Sequence, residues 1–304
     1  MKAYMFPGQG SQVKGMGGAL FDKYSEHTAV ADDILGLSIR RLCLENPDGM
    51  LKQTQYTQPA LYVVNTLMYL DVRATEANPP DYFIGHSLGE YNALQAAGVF
   101  DFATGLRLVK RRGELMAQAA GGAMAAVLNL APESIAPILR DSGLDAIDIA
   151  NFNSPVQTVI AGPKEVITAA QEAFTGREGV RFIPLNVSAA FHSRYMGPTQ
   201  RDMASALDRV TLSAPTVPVI ANVTARPYRS TELKKTLCDQ ICSPVQWLGS
   251  IRYLMDAGVS ELQEVGPGKV LTKLVRAIQR QVTPPATAVT DVTDDRTARP
   301  STGR

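Results

Sequence analysis

A short apolar run, Phe83-Ile84, ends in Gly85-His86-Ser87-Leu88-Gly89-Glu90-Tyr91, and a helix-like segment follows at once. Gly-x-Ser-x-Gly between a strand and a helix is the pattern of a nucleophile elbow. Its glycines mark a turn too tight for a Cβ. The serine hydroxyl is held clear of the backbone, and the free N–H groups of the helix favour developing negative charge. The same residues also fit an ordinary strand–turn–helix with a capping serine. Chemistry therefore depends on whether the rest of the chain supplies partners.

The chain has 304 residues, 45% of them hydrophobic and 19% charged. That suits a globular protein with a sizeable core and roughly two domains. A formal net charge of +1 marks the chain neither for nucleic acid nor for an anionic membrane. No apolar run approaches the ~18 residues that span a bilayer. Met1-Lys2-Ala3-Tyr4-Met5-Phe6-Pro7 is too short, and too soon broken by proline, for a signal peptide. The three cysteines, Cys43, Cys238 and Cys242, argue against a disulfide framework and for a reducing compartment. The cytoplasm is the expected location. Cys238 and Cys242 fit one helix face without a matching ligand pair, so buried thiols are expected there and no metal site.

Residues 2–6 read as a first strand, followed by Gly8-Gln9-Gly10-Ser11-Gln12. This glycine-rich loop lacks the Gly-Lys-Ser/Thr ending of a phosphate loop. It either aims backbone N–H groups at an anion or is a flexible connection. Residues 19–46 read as helical. Pro59 suits the first turn of a helix whose apolar residues run from Ala60 to Tyr69. After the elbow helix, Asp101 caps a further helix. There Arg112 falls on the apolar side, four residues after Leu108 and before Leu115 and Met116. A guanidinium so placed needs an anionic partner, because an unpaired buried charge is costly.

From Gly121-Gly122 the texture changes. Strands at 123–130, 145–151, 156–162 and 181–188, with helices at 132–142 and 163–175, give the β-α-β-β-α-β order of a ferredoxin-like unit. We read it as an insert over 122–188 in a larger α/β domain formed by 1–121 and 189–280. Helices at 197–209 and 231–242, a strand at 217–222, a helix opened at Ser243-Pro244, a strand at 259–265 and a helix over 270–280 complete that domain. From Gln281 the chain has almost no core formers, so 281–304 reads as a disordered tail or a linker.

A serine nucleophile needs a general base, most often histidine, and there are only three histidines. His27 lies in a polar helix. His86 adjoins Ser87 and points to the opposite side. That leaves His192, at the junction where the insert rejoins the main body and a cleft is expected.

Six segments occur in one order: Phe6-Pro7-Gly8-Gln9-Gly10-Ser11-Gln12, Gly85-His86-Ser87-Leu88-Gly89-Glu90-Tyr91, Arg112-Gly113, Asn153-Ser154-Pro155, Phe191-His192 and Pro244-Val245-Gln246-Trp247. Together they resemble the malonyl-CoA:acyl carrier protein transacylase family over residues 1–280. The likeness is greatest to the free-standing acyltransferases that serve modular polyketide synthases in trans. It implies an α/β-hydrolase-like large domain with an inserted ferredoxin-like small domain. It also implies transfer of a malonyl group from malonyl-CoA to a carrier protein by ping-pong chemistry without a cofactor.

The resemblance assigns roles to positions. Ser87 is the acylated nucleophile and His192 its base, oriented by a backbone carbonyl around Gln246. The backbone N–H groups of Gln9 and Leu88 form the oxyanion hole, as the elbow rule also requires of the residue after the nucleophile. Arg112 grips the malonyl carboxylate, and Gln58, Asn153, Phe191 and Gln246 line or support the pocket. Leu88 and Phe191 match malonyl-selective members, and a bulky ring at 191 crowds an α-methyl branch, a preference worth ~1–3 kcal/mol. Ala189 departs from the histidine common in malonyl-selective synthase domains. The implied partners are malonyl-CoA and an acidic carrier protein, steered by basic groups such as Lys110, Arg111, Lys269, Lys273 and Arg276, and a monomer is expected. An editing hydrolase of the same fold and a transacylase of fatty acid synthesis share most of these features.

Overall fold

The computed structural model describes residues 1–76 and 78–282. In chain order these form β1 (Lys2–Phe6), α1 (Leu20–Lys23), α2 (Ser25–Leu35), α3 (Ile39–Glu45), α4 (Thr54–Thr75), β2 (Tyr82–Gly85), α5 (Gly89–Ala96) and α6 (Phe102–Gln118). Next come β3 (Gly122–Leu128), α7 (Pro132–Asp141), β4 (Asp148–Ser154), β5 (Gln157–Pro163), α8 (Lys164–Thr175) and β6 (Arg181–Pro184). The chain closes with α9 (Gly197–Asp208), β7 (Val219–Ile220), α10 (Leu233–Asp239), α11 (Trp247–Asp256), β8 (Glu261–Glu264) and α12 (Val270–Val282). The segment expected as a tail opens with the end of α12, and residues 283–304 lie outside the described residues. No helix among the described residues is long and apolar enough to cross a membrane.

The strands form two sheets, in the orders β7-β2-β1-β8 and β4-β5-β3-β6. The first is all parallel and buried on both faces, as β1 shows. Tyr4 and Phe6 enter one core with α4 and α6, while Ala3 and Met5 enter another with Trp247, Ile251 and Ile278 from α11 and α12. Alternate side chains of a strand face opposite ways, and a parallel sheet covered on both faces buries both sets. The second sheet is antiparallel, and with α7 and α8 it has the ferredoxin-like order. One face carries Ala125, Val127 and Ile160 against α7 and α8. The other puts Met124, Ala126 and Val159 into the main core.

Local chemistry shifts several expected boundaries. The helical reading of residues 19–46 resolves into three helices, α1 to α3. Gly36 ends α2 in the left-handed region (φ 71), and the Ser38 side chain, accepting from Arg41 N, starts α3. Helix α4 begins at Thr54, so Pro59 lies inside it rather than in its first turn. The strand expected to run to 188 stops at Pro184, a residue with no N–H for a ladder. The Asp101 side chain does cap α6, accepting from Thr104 N at 2.7 Å.

The functional residues gather at the carboxyl ends of the parallel strands, where open α/β sheets place their ligand crevices. Here backbone meets backbone. A Cβ on Gly89 would lie 2.0 Å from the Phe6 carbonyl oxygen, one on Gly85 1.9 Å from the Gly89 carbonyl carbon, and one on Gly8 2.4 Å from the His86 oxygen. These glycines let α5 start directly against β1. Gly89→Ala has no side chain to displace, only main chain. It is expected to destabilise the fold by about 3 kcal/mol, read as a lowered denaturant midpoint.

Candidate active site

Ser87 follows β2 with φ 51, the strained turn that lifts a nucleophile's hydroxyl off the sheet. Asn222, just past β7, fixes that turn. Its Oδ1 accepts from Ser87 N at 2.7 Å and its Nδ2 donates to the Gly85 carbonyl at 2.6 Å. Ser87 Oγ lies 2.7 Å from His192 Nε2, bridging the 105 residues between them in sequence.

His192 also has a positive φ, 57, and is 4% exposed. Its Nδ1 lies 2.8 Å from the Gln240 carbonyl oxygen. A carbonyl only accepts, so Nδ1 carries the proton and Nε2 offers its lone pair to the Ser87 hydroxyl. Burial, reinforced by the positive charge of Arg112, pushes the imidazole down to about 3, with the Gln240 carbonyl pulling the other way. The ring is therefore neutral, ready to take a proton. This carbonyl corrects the expectation for Gln246. Pro244-Val245 is taken up by β4: Val245 bridges Asn151, Phe152 N donates to Val245 O at 3.0 Å, and Val245 N donates to Ala150 O at 2.9 Å. The chain beyond is carried away from His192. Gln246 donates its backbone N–H to Asn222 O, starts α11 and lines a separate groove beside Pro132 and Arg252.

Arg112, on α6, is 1% exposed. Its Nη1 donates to Gln58 Oε1 at 2.6 Å; its Nη2 donates to Gln240 Oε1 at 2.9 Å and to Ser87 Oγ at 3.1 Å. The Tyr91 ring lies 5.6 Å from the guanidinium carbon, a cation–π distance. Burial works against its charge, and among the described residues it makes no ion pair. Nε is buried without a partner.

These groups open on a cavity of about 110 Å³ shared by the polar Gln9, Gln58, Ser87, Arg112 and His192 and by the apolar Leu88, Met116, Met124, Leu185, Val187 and Phe191. Gln9 is anchored by its side chain, whose Oε1 accepts from Thr54 Oγ1 at 2.8 Å. Leu88 sits at the start of α5, where the first N–H groups of a helix lack intrahelical acceptors. Asn153 is not on the cavity wall. Its Oδ1 accepts from His86 Nε2 at 2.8 Å, and Asn151 lines the cavity in its place. Among the basic groups considered for steering, Lys110 is engaged by the Ile34 carbonyl at 2.9 Å.

Sequence reasoning missed Gln240 and Asn222 altogether and left Glu90 without a role. Gln240 falls just past α10, in a stretch read as plain helix, and no spacing singles it out. Among the described residues no group of three or more His, Cys, Asp or Glu is placed to hold a metal ion.

A buried Ser–His pair at a strand-to-helix elbow, with a guanidinium beside the hydroxyl, is the arrangement of an acyl-transferring site. The chain belongs to the acyl transferase domain family, whose profile matches residues 3–301. It is 53% identical over 282 residues to the polyketide biosynthesis malonyl CoA-acyl carrier protein transacylase BaeC of Bacillus velezensis, covering 92% of this chain and 98% of that one. The crystal structure of malonyl CoA-acyl carrier protein transacylase from Burkholderia pseudomallei superposes with a TM-score of 0.90 at 51% identity, covering 93% and 99% of the two chains. A malonyl-transacylase in complex with its type II PKS acyl-carrier protein superposes with a TM-score of 0.86 at 35% identity, covering 91% and 93%.

The neutral state of His192 can be read by NMR. Its imidazole nitrogens are expected to hold the Nδ1–H tautomer from about pH 8 to about pH 5, the range in which an unperturbed histidine titrates. Protonation within that range would contradict the site as described.

Proposed function

We propose that this chain is a malonyl-CoA:acyl carrier protein transacylase that works through a malonyl-serine intermediate and serves polyketide biosynthesis in trans. The observation that carries this reading is Arg112. A buried guanidinium without a carboxylate partner stands 3.1 Å from the nucleophilic oxygen. A malonyl thioester has its carboxylate one methylene from the carbonyl that Ser87 attacks, so both ends fit this spacing. An editing hydrolase that releases uncharged acyl groups has no use for the clamp.

The chemistry follows from the geometry. His192 Nε2 takes the Ser87 proton as Oγ attacks the thioester carbonyl. The backbone N–H groups of Gln9 and Leu88 hold the tetrahedral oxyanion, and the charge on the imidazolium is met by the Gln240 carbonyl. Coenzyme A leaves as its thiol, carrying that proton. The phosphopantetheine thiol of a carrier protein then gives its proton to His192 and attacks the ester, and Ser87 is restored. Each half-reaction balances with protons alone, so no metal or redox group is required. Phe191 and the two methionines shape the apolar side of the acyl pocket and favour a small extender. The working unit is taken to be a monomer in the cytoplasm.

Intact-protein mass spectrometry after exposure to malonyl-CoA is expected to show one malonyl adduct, absent from Ser87→Ala; an unmodified wild type would refute the proposal. A panel of carrier proteins from polyketide and fatty acid synthesis, offered to the malonylated enzyme, distinguishes the pathway served. Arg112→Ala removes a charge-assisted clamp and is expected to lower malonyl kcat/KM by ~100-fold, with acetyl transfer unchanged or raised. Equal losses for the two acyl-CoAs would refute the clamp.

A further inference from the structure

The chemistry above makes no use of Glu90, although it is fully buried three residues after Ser87, in the first turn of α5. Its carboxylate is surrounded by donors. Oε1 accepts from Asn222 N at 3.1 Å and from the Tyr228 hydroxyl at 2.5 Å, and Oε2 accepts from Gln240 Nε2 at 2.5 Å. A carboxylate can only accept, which dictates how the Gln240 amide must lie. Its NH2 faces Glu90 and the Ser87 carbonyl, the latter at 2.8 Å, and its oxygen faces Arg112 Nη2 at 2.9 Å. The reverse orientation would set an NH2 against the guanidinium, donor against donor.

We propose that Glu90 is a positioning residue: through the side-chain amide of Gln240 it holds Arg112 beside Ser87 and so sets the preference for carboxyl-bearing acyl groups. This rests on the transacylase reading and deepens it. The amide links a buried anion to a buried cation, so the clamp is fixed in place before substrate arrives, with Arg112 Nη2 directed at the Ser87 hydroxyl where the substrate is attacked. Pre-ordering of this kind strengthens binding of the group that fits. The link also reaches the nucleophile and the base, because Gln240 touches the Ser87 carbonyl by its amide and His192 by its own carbonyl.

The charged and titratable groups facing Glu90 are Arg112 from α6, Tyr91 beside it on α5, and Tyr228 from the segment after β7. Burial pushes the Glu90 carboxyl up to about 7, while the hydrogen bonds from Tyr228, Gln240 and Asn222, and the charge of Arg112, pull it back. Below that pH the carboxyl gains a proton that must face one of its donors, and the orientation of the Gln240 amide is no longer dictated. The clamp therefore weakens as pH falls through about 7.

The test measures kcat/KM with malonyl-CoA and with acetyl-CoA in the wild type, Glu90→Gln, Arg112→Ala and the double variant. Glu90→Gln places an NH2 among donors. It is expected to lower the malonyl-to-acetyl ratio ~10-fold, the loss of one hydrogen bond to a charged group, and to change the ratio no further when added to Arg112→Ala. The wild type is expected to lose malonyl transfer as pH drops through about 7, and this limb is expected to be missing from Glu90→Gln. Equal loss for both acyl groups, full additivity with Arg112→Ala, or an acid limb that persists in the variant would each overturn the proposal. Should Glu90→Gln fail to fold, Gln240→Met keeps the backbone carbonyl for His192 and leaves Glu90 with Tyr228 and Asn222. It is expected to give the same shift in ratio, and an unchanged ratio overturns the proposal. A wild type that never acquires a malonyl adduct would instead refute the transacylase reading itself.

Discussion

Everything at this site depends on main chain meeting main chain where α5 leaves the sheet. With Gly89 seated on the Phe6 carbonyl and Gly85 on Gly89, the helix begins within one turn of the strand. That closeness forces Ser87 into a positive-φ corner and aims the first helical N–H groups at the space above it. Asn222 then ties the corner to β7. The hydroxyl is thus held by backbone geometry, and its strain is offset by packing that no single side chain controls.

The second organising fact is the cost of a buried cation. Arg112 is surrounded by amide oxygens, a serine hydroxyl and a tyrosine ring rather than by a touching carboxylate. In a low-dielectric setting such neutral acceptors satisfy N–H groups without cancelling the charge, and the attraction for an incoming anion stays large. Burial does most to keep His192 neutral, and the same field adds to it, since a second positive charge beside Arg112 is disfavoured. On the proposed reading, one residue both meets the acyl carboxylate and helps hold the base in its accepting form.

Much of this was legible in the sequence where the signal was local. The flanking glycines announced the elbow, and the helical spacing of Arg112 against Leu108, Leu115 and Met116 announced a buried guanidinium. Elimination among three histidines reached His192. What failed was non-local. Gln246 was expected near the base because it belongs to a recognisable motif, but Val245 pairs with β4 and turns the chain away. The carbonyl that does the work belongs to Gln240, and a backbone carbonyl leaves no trace in a side-chain pattern. Asn153 likewise bonds His86 while Asn151, two residues earlier, lines the cavity, because register shifts along β4 break the simple alternation. Where the helical stretch after residue 19 breaks was not legible, because Tyr24, Gly36 and Ser38, each common elsewhere, mark its breaks.

The cavity is assembled from two sources. Its reactive groups hang from the parallel sheet and the elements around it, whereas Met124, Leu185 and Val187 come from the antiparallel unit or the segment just after it. That unit is moored at Val245 and at the His86–Asn153 contact. Shape and reactivity are therefore inherited from different parts of one polypeptide. Selection can remodel the wall that fits the acyl chain, one apolar residue at a time, without disturbing the atoms that make and break bonds.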